Sequence, residues 1–98
     1  MPAATSHLVT PHASRYLQQL CKHFAHKVAV DFDPQAGEVR FPFGRCRMEA
    51  RDGGLFLRCE SPGAAELART KAVVDDHLVR FAWREKLQPV WEPAEEPS

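Results

Sequence analysis

Between Val28 and Cys59 the chain alternates apolar and polar residues in four short blocks. Val28, Val30 and Phe32 alternate with Ala29, Asp31 and Asp33, and Val39, Phe41 and Phe43 with Glu38, Arg40 and Pro42. Cys46, Met48 and Ala50 alternate with Arg45, Arg47 and Glu49, and Leu55, Leu57 and Cys59 with Phe56, Arg58 and Glu60. A period of two marks strands with one buried face. The breaks carry turn chemistry: Asp33-Pro34-Gln35-Ala36-Gly37 reads as a loop, and Gly44-Arg45 and Asp52-Gly53 as two-residue hairpin turns. The pattern predicts a four-stranded antiparallel meander with one apolar and one charged face. A Gly44-Arg45 turn sets Phe43 opposite Cys46 and Phe41 opposite Met48, and pairs Arg40 with Glu49 and Glu38 with Arg51. It leaves Pro42 inside a strand, at the loss of one ladder hydrogen bond. An Asp52-Gly53 turn sets Met48 opposite Leu57, Cys46 opposite Cys59 and Arg47 opposite Arg58.

Outside this region the period lengthens. Thr10-Pro11 and Ser61-Pro62 each combine a good N-cap with a residue suited to the first helical position. The first helix is predicted to reach His26. The second runs from about Gly63 to Arg84 or Glu85, with Leu67, Val74, Leu78 and Phe81 at helical spacing. Ser6 to Val9 reads as a short strand, and Leu87 to Trp91 as a short extended piece. The expected order is β-α-β-β-β-β-α, an α+β fold with both helices on the apolar sheet face. Residues 1–5 are expected to be flexible, 6–91 to form a single domain, and 92–98 to be a disordered acidic tail.

Composition narrows the classes. Thirteen cations balance thirteen acids, so no global field favours nucleic acid or an anionic membrane. No apolar run approaches the length of a membrane span, and the N-terminal segment does not have the form of a secretory signal. Three cysteines without a C-x-x-C spacing do not make a disulfide framework. The sequence reads as a soluble, reduced, cytoplasmic protein.

Candidate chemistry concentrates in Pro11–Lys27, which holds three histidines, Cys21 and three cations without an acid. The letters Cys21-x-His23-x-x-His26 resemble a metal-ligand cluster. On a helix, however, Cys21 and His23 point roughly 160° apart, and His12 lies about 16 Å from His23 along the axis. Only two ligands remain adjacent, too few for a zinc site, so no metal is expected. Leu17, Leu20, Cys21 and Phe24 are expected in the core. His12, Arg15, Gln19 and His23 form a polar stripe, and His77 and Arg80 of the second helix are placed to join it. The stripe is a solvated face or a candidate anion-binding surface. Arg47 beside Arg58 on the charged sheet face is a second candidate, for an acidic partner or a second copy, unless Glu49 and Glu60 neutralise the pair diagonally. No nucleophile–base–orienter set is visible, so a binding module is expected rather than an enzyme. A histidine general base at His23 or His77 is the lesser alternative.

The stretches TPHASRYLQQLCKHFAHK, PFG at 42–44 and VVDDHLVRFAWRE at 73–85 together resemble the bacterial domain of unknown function 2218 family, over about His7 to Trp91. The resemblance implies no catalytic residues and no cofactor. It implies a context, because similar domains occur alone and fused to siderophore-interacting flavoproteins. An accessory module in iron–siderophore use is therefore expected, with an anionic ligand or a siderophore-interacting flavin reductase as partner. The element order also resembles the TATA-box-binding-protein-like topology, an analogy of fold that carries no DNA function.

Overall fold

The alternation of residues 28–60 resolves into strands that meander as expected, in a computed structural model that describes residues 2–94. The elements are β1 (Ala3–Val9), α1 (Ala13–Phe24), β2 (Ala29–Phe32), β3 (Ala36–Phe41), β4 (Gly44–Arg51), β5 (Gly54–Glu60), α2 (Ala64–Phe81) and β6 (Glu92–Pro93). They form one antiparallel sheet in the order β2-β3-β4-β5-β1-β6. The inward residues Val39, Cys46, Met48, Leu55, Leu57 and Cys59 are buried against Leu17, Leu20 and Cys21 of α1 and Val74 and Leu78 of α2. Each fully buried leucine contributes about 1.5–3 kcal/mol from apolar burial, as an upper estimate.

The β4–β5 hairpin has the expected register. Asp52 and Gly53 take φ of 50° and 73°, the left-handed pair that a tight hairpin turn requires. Met48 faces Leu57, Cys46 faces Cys59 and Arg47 faces Arg58. The β3–β4 turn lies two residues earlier than expected, at Pro42-Phe43. Val39 therefore faces Cys46, Arg40 faces Arg45 and Glu38 faces Arg47. A shift of two residues keeps every side chain on its face, which is why periodicity alone could not detect it.

Two physical reasons favour the observed turn. Pro42 in the turn costs no ladder hydrogen bond. Gly44 can then start β4 where the sheet meets α2. A Cβ on Gly44 would lie 2.1 Å from Ser61 Oγ, 2.5 Å from Thr70 Oγ1 and 2.7 Å from the Glu60 carbonyl. Phe43 stacks on Phe41 at 5.2 Å and receives the Arg69 guanidinium at 4.2 Å.

Both helix starts differ from expectation. The first N-cap is His12, the second Gly63, and neither makes a side-chain capping bond. The residues expected to cap are used elsewhere. Ser61 Oγ pairs with Thr70 Oγ1 at 2.9 Å, and the Thr70 hydroxyl is also 2.8 Å from the Glu66 carbonyl. Thr10 accepts a bond from the His12 amide and donates to the carboxylate of Glu85 at 2.8 Å. The Tyr16 hydroxyl donates to the same carboxylate. Glu85 lies in the turn that follows α2, so this clamp ties the end of one helix to the start of the other. The helices end at Phe24 and Phe81, earlier than the expected His26 and Arg84 or Glu85; Lys86 at φ 54° closes the second turn.

The termini are more ordered than the sequence suggested. β1 begins at Ala3, and Ala3 and Ala4 are buried rather than flexible. Glu92 and Pro93, expected in the loose tail, pair with Thr5 and Ala4 as the edge strand β6. Ala94 continues the ladder through its amide to the Ala3 carbonyl. Trp91 anchors the segment through its indole N–H to Asp75 at 2.7 Å. The remainder of the expected tail, 95–98, lies outside the described residues.

Two outcomes follow from this packing. Gly44→Ala must displace Ser61, Thr70 and backbone, so its unfolding midpoint in urea should fall by the equivalent of about 1–3 kcal/mol; an unchanged midpoint would show that the sheet and α2 are not in close contact there. The second concerns Tyr16, the single tyrosine of the chain. Burial, the Glu85 hydrogen bond and the Glu85 charge push its phenol from 10.0 up to about 12. The folded value is raised, so this stabilisation is full below about pH 10 and lost as pH rises toward about 12. Phenolate absorbance should therefore titrate near the upper value and move down in Glu85→Gln. A wild-type midpoint at the ordinary tyrosine value would contradict the clamp.

Candidate functional site

The polar stripe of α1 and its expected partners on α2 divide into a cluster and a set of outliers. Because α1 and α2 run antiparallel, with Tyr16 and Glu85 joined at one end, residues seven or eight positions away meet at the other. His23 and His77 lie there with ring centroids 4.6 Å apart. Phe24 is 4.8 Å from His77, and Phe81 is 5.9 Å from His23. The His77 Nδ1–H donates to the Val73 carbonyl at 2.7 Å, which fixes its ring and leaves Nε2 as the nitrogen available to a ligand.

Desolvation by its packed neighbours, then the charges of His77, Lys27, His26 and Arg80, push the exposed His23 imidazole below its ordinary value of 6.5. Arg80 thus acts on His23 electrostatically. His26, which helical spacing already set beside His23, acts on it too, and so does Lys27, which the sequence reading did not place there. Lys27 lies in the turn after α1, where helical projection from Pro11 no longer holds.

The other stripe residues are not brought in. His12 sits at the opposite end, its ring edge-on to Tyr16 at 6.3 Å. Its charge helps hold Glu85 below the usual carboxylate range, after the Tyr16 and Thr10 hydrogen bonds. Arg15 and Gln19 are exposed, and their side chains make no hydrogen bond or ion pair among the described residues. Cys21 is buried, its thiol pushed up to about 11 by burial. The Cys46 thiol is pushed up by the hydrogen bond to Cys59 and by burial. These thiols are apolar packing groups, not nucleophiles. Among the described residues no set of three or more histidine, cysteine or acidic side chains could hold a metal ion.

The second candidate, Arg47 and Arg58, is placed as expected, directly opposed across β4 and β5. The neutralising acids differ in part. Glu60 lies 3.6 Å from Arg58 and 3.1 Å from Arg45, but Arg47 has Glu38 at 3.7 Å, and Glu49 turns instead to Arg51 at 3.1 Å. Glu60 is only 3% exposed. Burial alone would raise its carboxyl, and the hydrogen bond and charge of Arg45 with the charges of Arg58 and Arg47 outweigh that and lower it.

Charge is thereby sorted between the two layers. All five arginines of residues 29–60 have a carboxylate within 4.0 Å. The helices and their closing turns carry eight cations, Arg15, Lys22, Lys27, Arg69, Lys71, Arg80, Arg84 and Lys86, against the four acids Glu66, Asp75, Asp76 and Glu85. None of the eight has a carboxylate within that distance among the described residues. Neutrality of the whole chain conceals this division.

The sheet face also contains a feature that alternation gave no reason to expect. His7 stacks on Phe56 with centroids 3.9 Å apart and planes 12° apart, and the Arg51 guanidinium lies 3.9 Å from the Phe56 centroid. The signal was absent because the partner of β1 is β5, far away in sequence. No helix among the described residues is long and apolar enough to cross a membrane.

Comparison with known proteins agrees with this architecture. The NMR structure of PA4090 from Pseudomonas aeruginosa is similar at a TM-score of 0.80 and 38% identity, over 98% of this chain and 100% of that one. None of the curated proteins matches the chain. The family model described as "Uncharacterized protein conserved in bacteria (DUF2218)" matches residues 5–92. That match takes in both helices and the whole meander, and the chain belongs to this bacterial family.

Proposed function

We propose that the chain is a non-catalytic binding module that receives an anionic partner on its helix layer, centred on His23, His77 and Arg80. The observation that carries this reading is the sorting of charge. Each sheet arginine has a carboxylate within 4.0 Å, whereas among the described residues none of the helix-layer cations does. Cations without internal partners attract and orient an anionic ligand or an acidic protein surface. The histidines support binding over catalysis. His77 spends one ring nitrogen on a backbone carbonyl, and no histidine has a carboxylate within 4.0 Å among the described residues to orient it as a base.

The family resemblance supplies a chemical candidate. Ferric siderophore complexes are commonly anionic, and a siderophore-interacting flavin reductase could present acidic side chains to the same face. Under this reading the domain works in the cytoplasm as an accessory to iron–siderophore use, holding or docking rather than reducing.

The position of His23 adds a pH dependence. Its folded value lies below 6.5 in the free protein, and a bound anion would raise it. Binding should then take up a proton and strengthen as pH falls through the region below neutrality. Titration with gallium citrate, a diamagnetic stand-in for a ferric siderophore, should shift the amide signals of His23, His77 and Arg80, and more tightly at about pH 5.5 than at about pH 7.5. Unmoved signals at saturating ligand, or movement confined to the sheet, would sink the proposal.

A further inference from the structure

The outer face of the sheet carries a cleft of about 450 Å³ whose lining includes His7, Arg47, Phe56, Leu57, Arg58 and Val90. It lies on the opposite side of the sheet from the helix layer, so it is separate from the surface proposed above. The volume falls in the range of small-molecule sites. Its lining combines an aromatic stack with guanidinium groups and two carboxylates, Glu92 and Glu49, the latter paired with Arg51 at 3.1 Å.

The stack is built by the backbone beneath it. His7 is paired with Phe56 across β1 and β5, and Gly54 is the next β5 residue on that face. A Cβ on Gly54 would lie 2.4 Å from His7 Nε2. The absence of a side chain there lets the imidazole lie down and meet the Phe56 ring face to face. The two faces of Phe56 are engaged by His7 and Arg51. The imidazole is exposed, so its outer face remains for a third planar group.

The anion partner is Arg47. Its Nε lies 3.7 Å from Glu38, and its side chain is 52% exposed. Its terminal nitrogens have no carboxylate within 4.0 Å among the described residues. A guanidinium carries five donors, and Glu38 engages one end of it. Arg58, by contrast, is committed to Glu60 and to the Ala94 carbonyl. Residue 47 lies two positions along the sheet and two strands across from His7, a separation of about 7 Å by about 10 Å. That spacing fits a fused ring that rests on the imidazole and directs its charged substituent at Arg47.

We propose that this cleft binds a planar aromatic anion, a ring system bearing a carboxylate or phosphate, stacked on His7 with its charge held by Arg47. The imidazole and the exposed Val90 side chain favour the ring, and the guanidinium selects against neutral analogues. The test is a titration of the full chain with naphthoate, followed by amide shifts, with naphthyl methanol as the uncharged control. Saturable shifts at His7, Phe56 and Arg47 are expected, with binding about tenfold weaker in Arg47→Gln, about tenfold weaker in His7→Ala and about tenfold weaker for the alcohol. Both substitutions are at exposed positions, so the fold can be verified from the unperturbed spectrum of each variant. Equal affinity for wild type and Arg47→Gln, shifts confined to α1 and α2, or no shift with naphthoate would each overturn the assignment.

Discussion

The carboxylate of Glu85 receives two hydroxyls, one from Thr10 at the end of β1 and one from Tyr16 in the first turns of α1. It sits just beyond α2, so three elements distant in sequence converge on one group. A charged acceptor shared by two buried donors is a directional constraint that apolar packing does not supply. Leucines would let α2 slide or rotate on the sheet face at modest cost, but the clamp fixes where its last turn ends. The rest of the helix layer follows from that. With Glu85 set against Tyr16, antiparallel geometry puts His77 against His23, and Arg80 then falls within the same electrostatic neighbourhood. At the other end of α2, Gly44 admits Ser61 and Thr70 at separations that no larger residue would allow. The helix is thus located at both ends by polar contacts and held between them by Val74 and Leu78.

The two faces of the sheet meet different electrostatic requirements. Among the described residues the outer face has no layer over it, and its arginines and acids, alternating across strands, pair with one another. Such exposed pairs contribute little stability individually. Their larger consequence is to use up the sheet's charge locally, leaving the uncompensated cations on the helices. Within this balanced face the cleft beside His7 is a local exception, because Arg47 engages Glu38 through one end of its guanidinium.

Much of the architecture was legible from residue order. Period-two alternation gave the meander, Asp52-Gly53 gave the β4–β5 register, and Cys46 opposite Cys59 followed from it. Turn letters misled at Gly44-Arg45, because Gly44 serves close packing against α2 and Pro42 makes the turn. Thr10 and Ser61 look like helix caps in isolation, yet their hydroxyls go to Glu85 and Thr70, partners that only tertiary structure supplies. The order of residues 92–94 was hidden for the same reason: an acidic, proline-containing segment carries no strand signal until the edge of β1 offers it one. At the helix site, spacing along α1 placed His23 correctly and set it apart from Cys21. The same projection set His12 about 16 Å from His23 along the axis, but it could not show that Lys27 returns toward His23.

The central claim is that the Glu85 clamp positions the two helices and thereby creates the His23–His77 pair. Its most direct test is the imidazole titration of His23, followed by NMR in wild type and in Glu85→Gln. Wild type should titrate below 6.5, since desolvation by the packed rings and the facing cations disfavour the charged ring. Loosening the clamp should let the rings separate and move His23 up toward that value. A His23 titration unchanged in a folded Glu85→Gln variant would contradict the account, because the pair would then be held by packing alone.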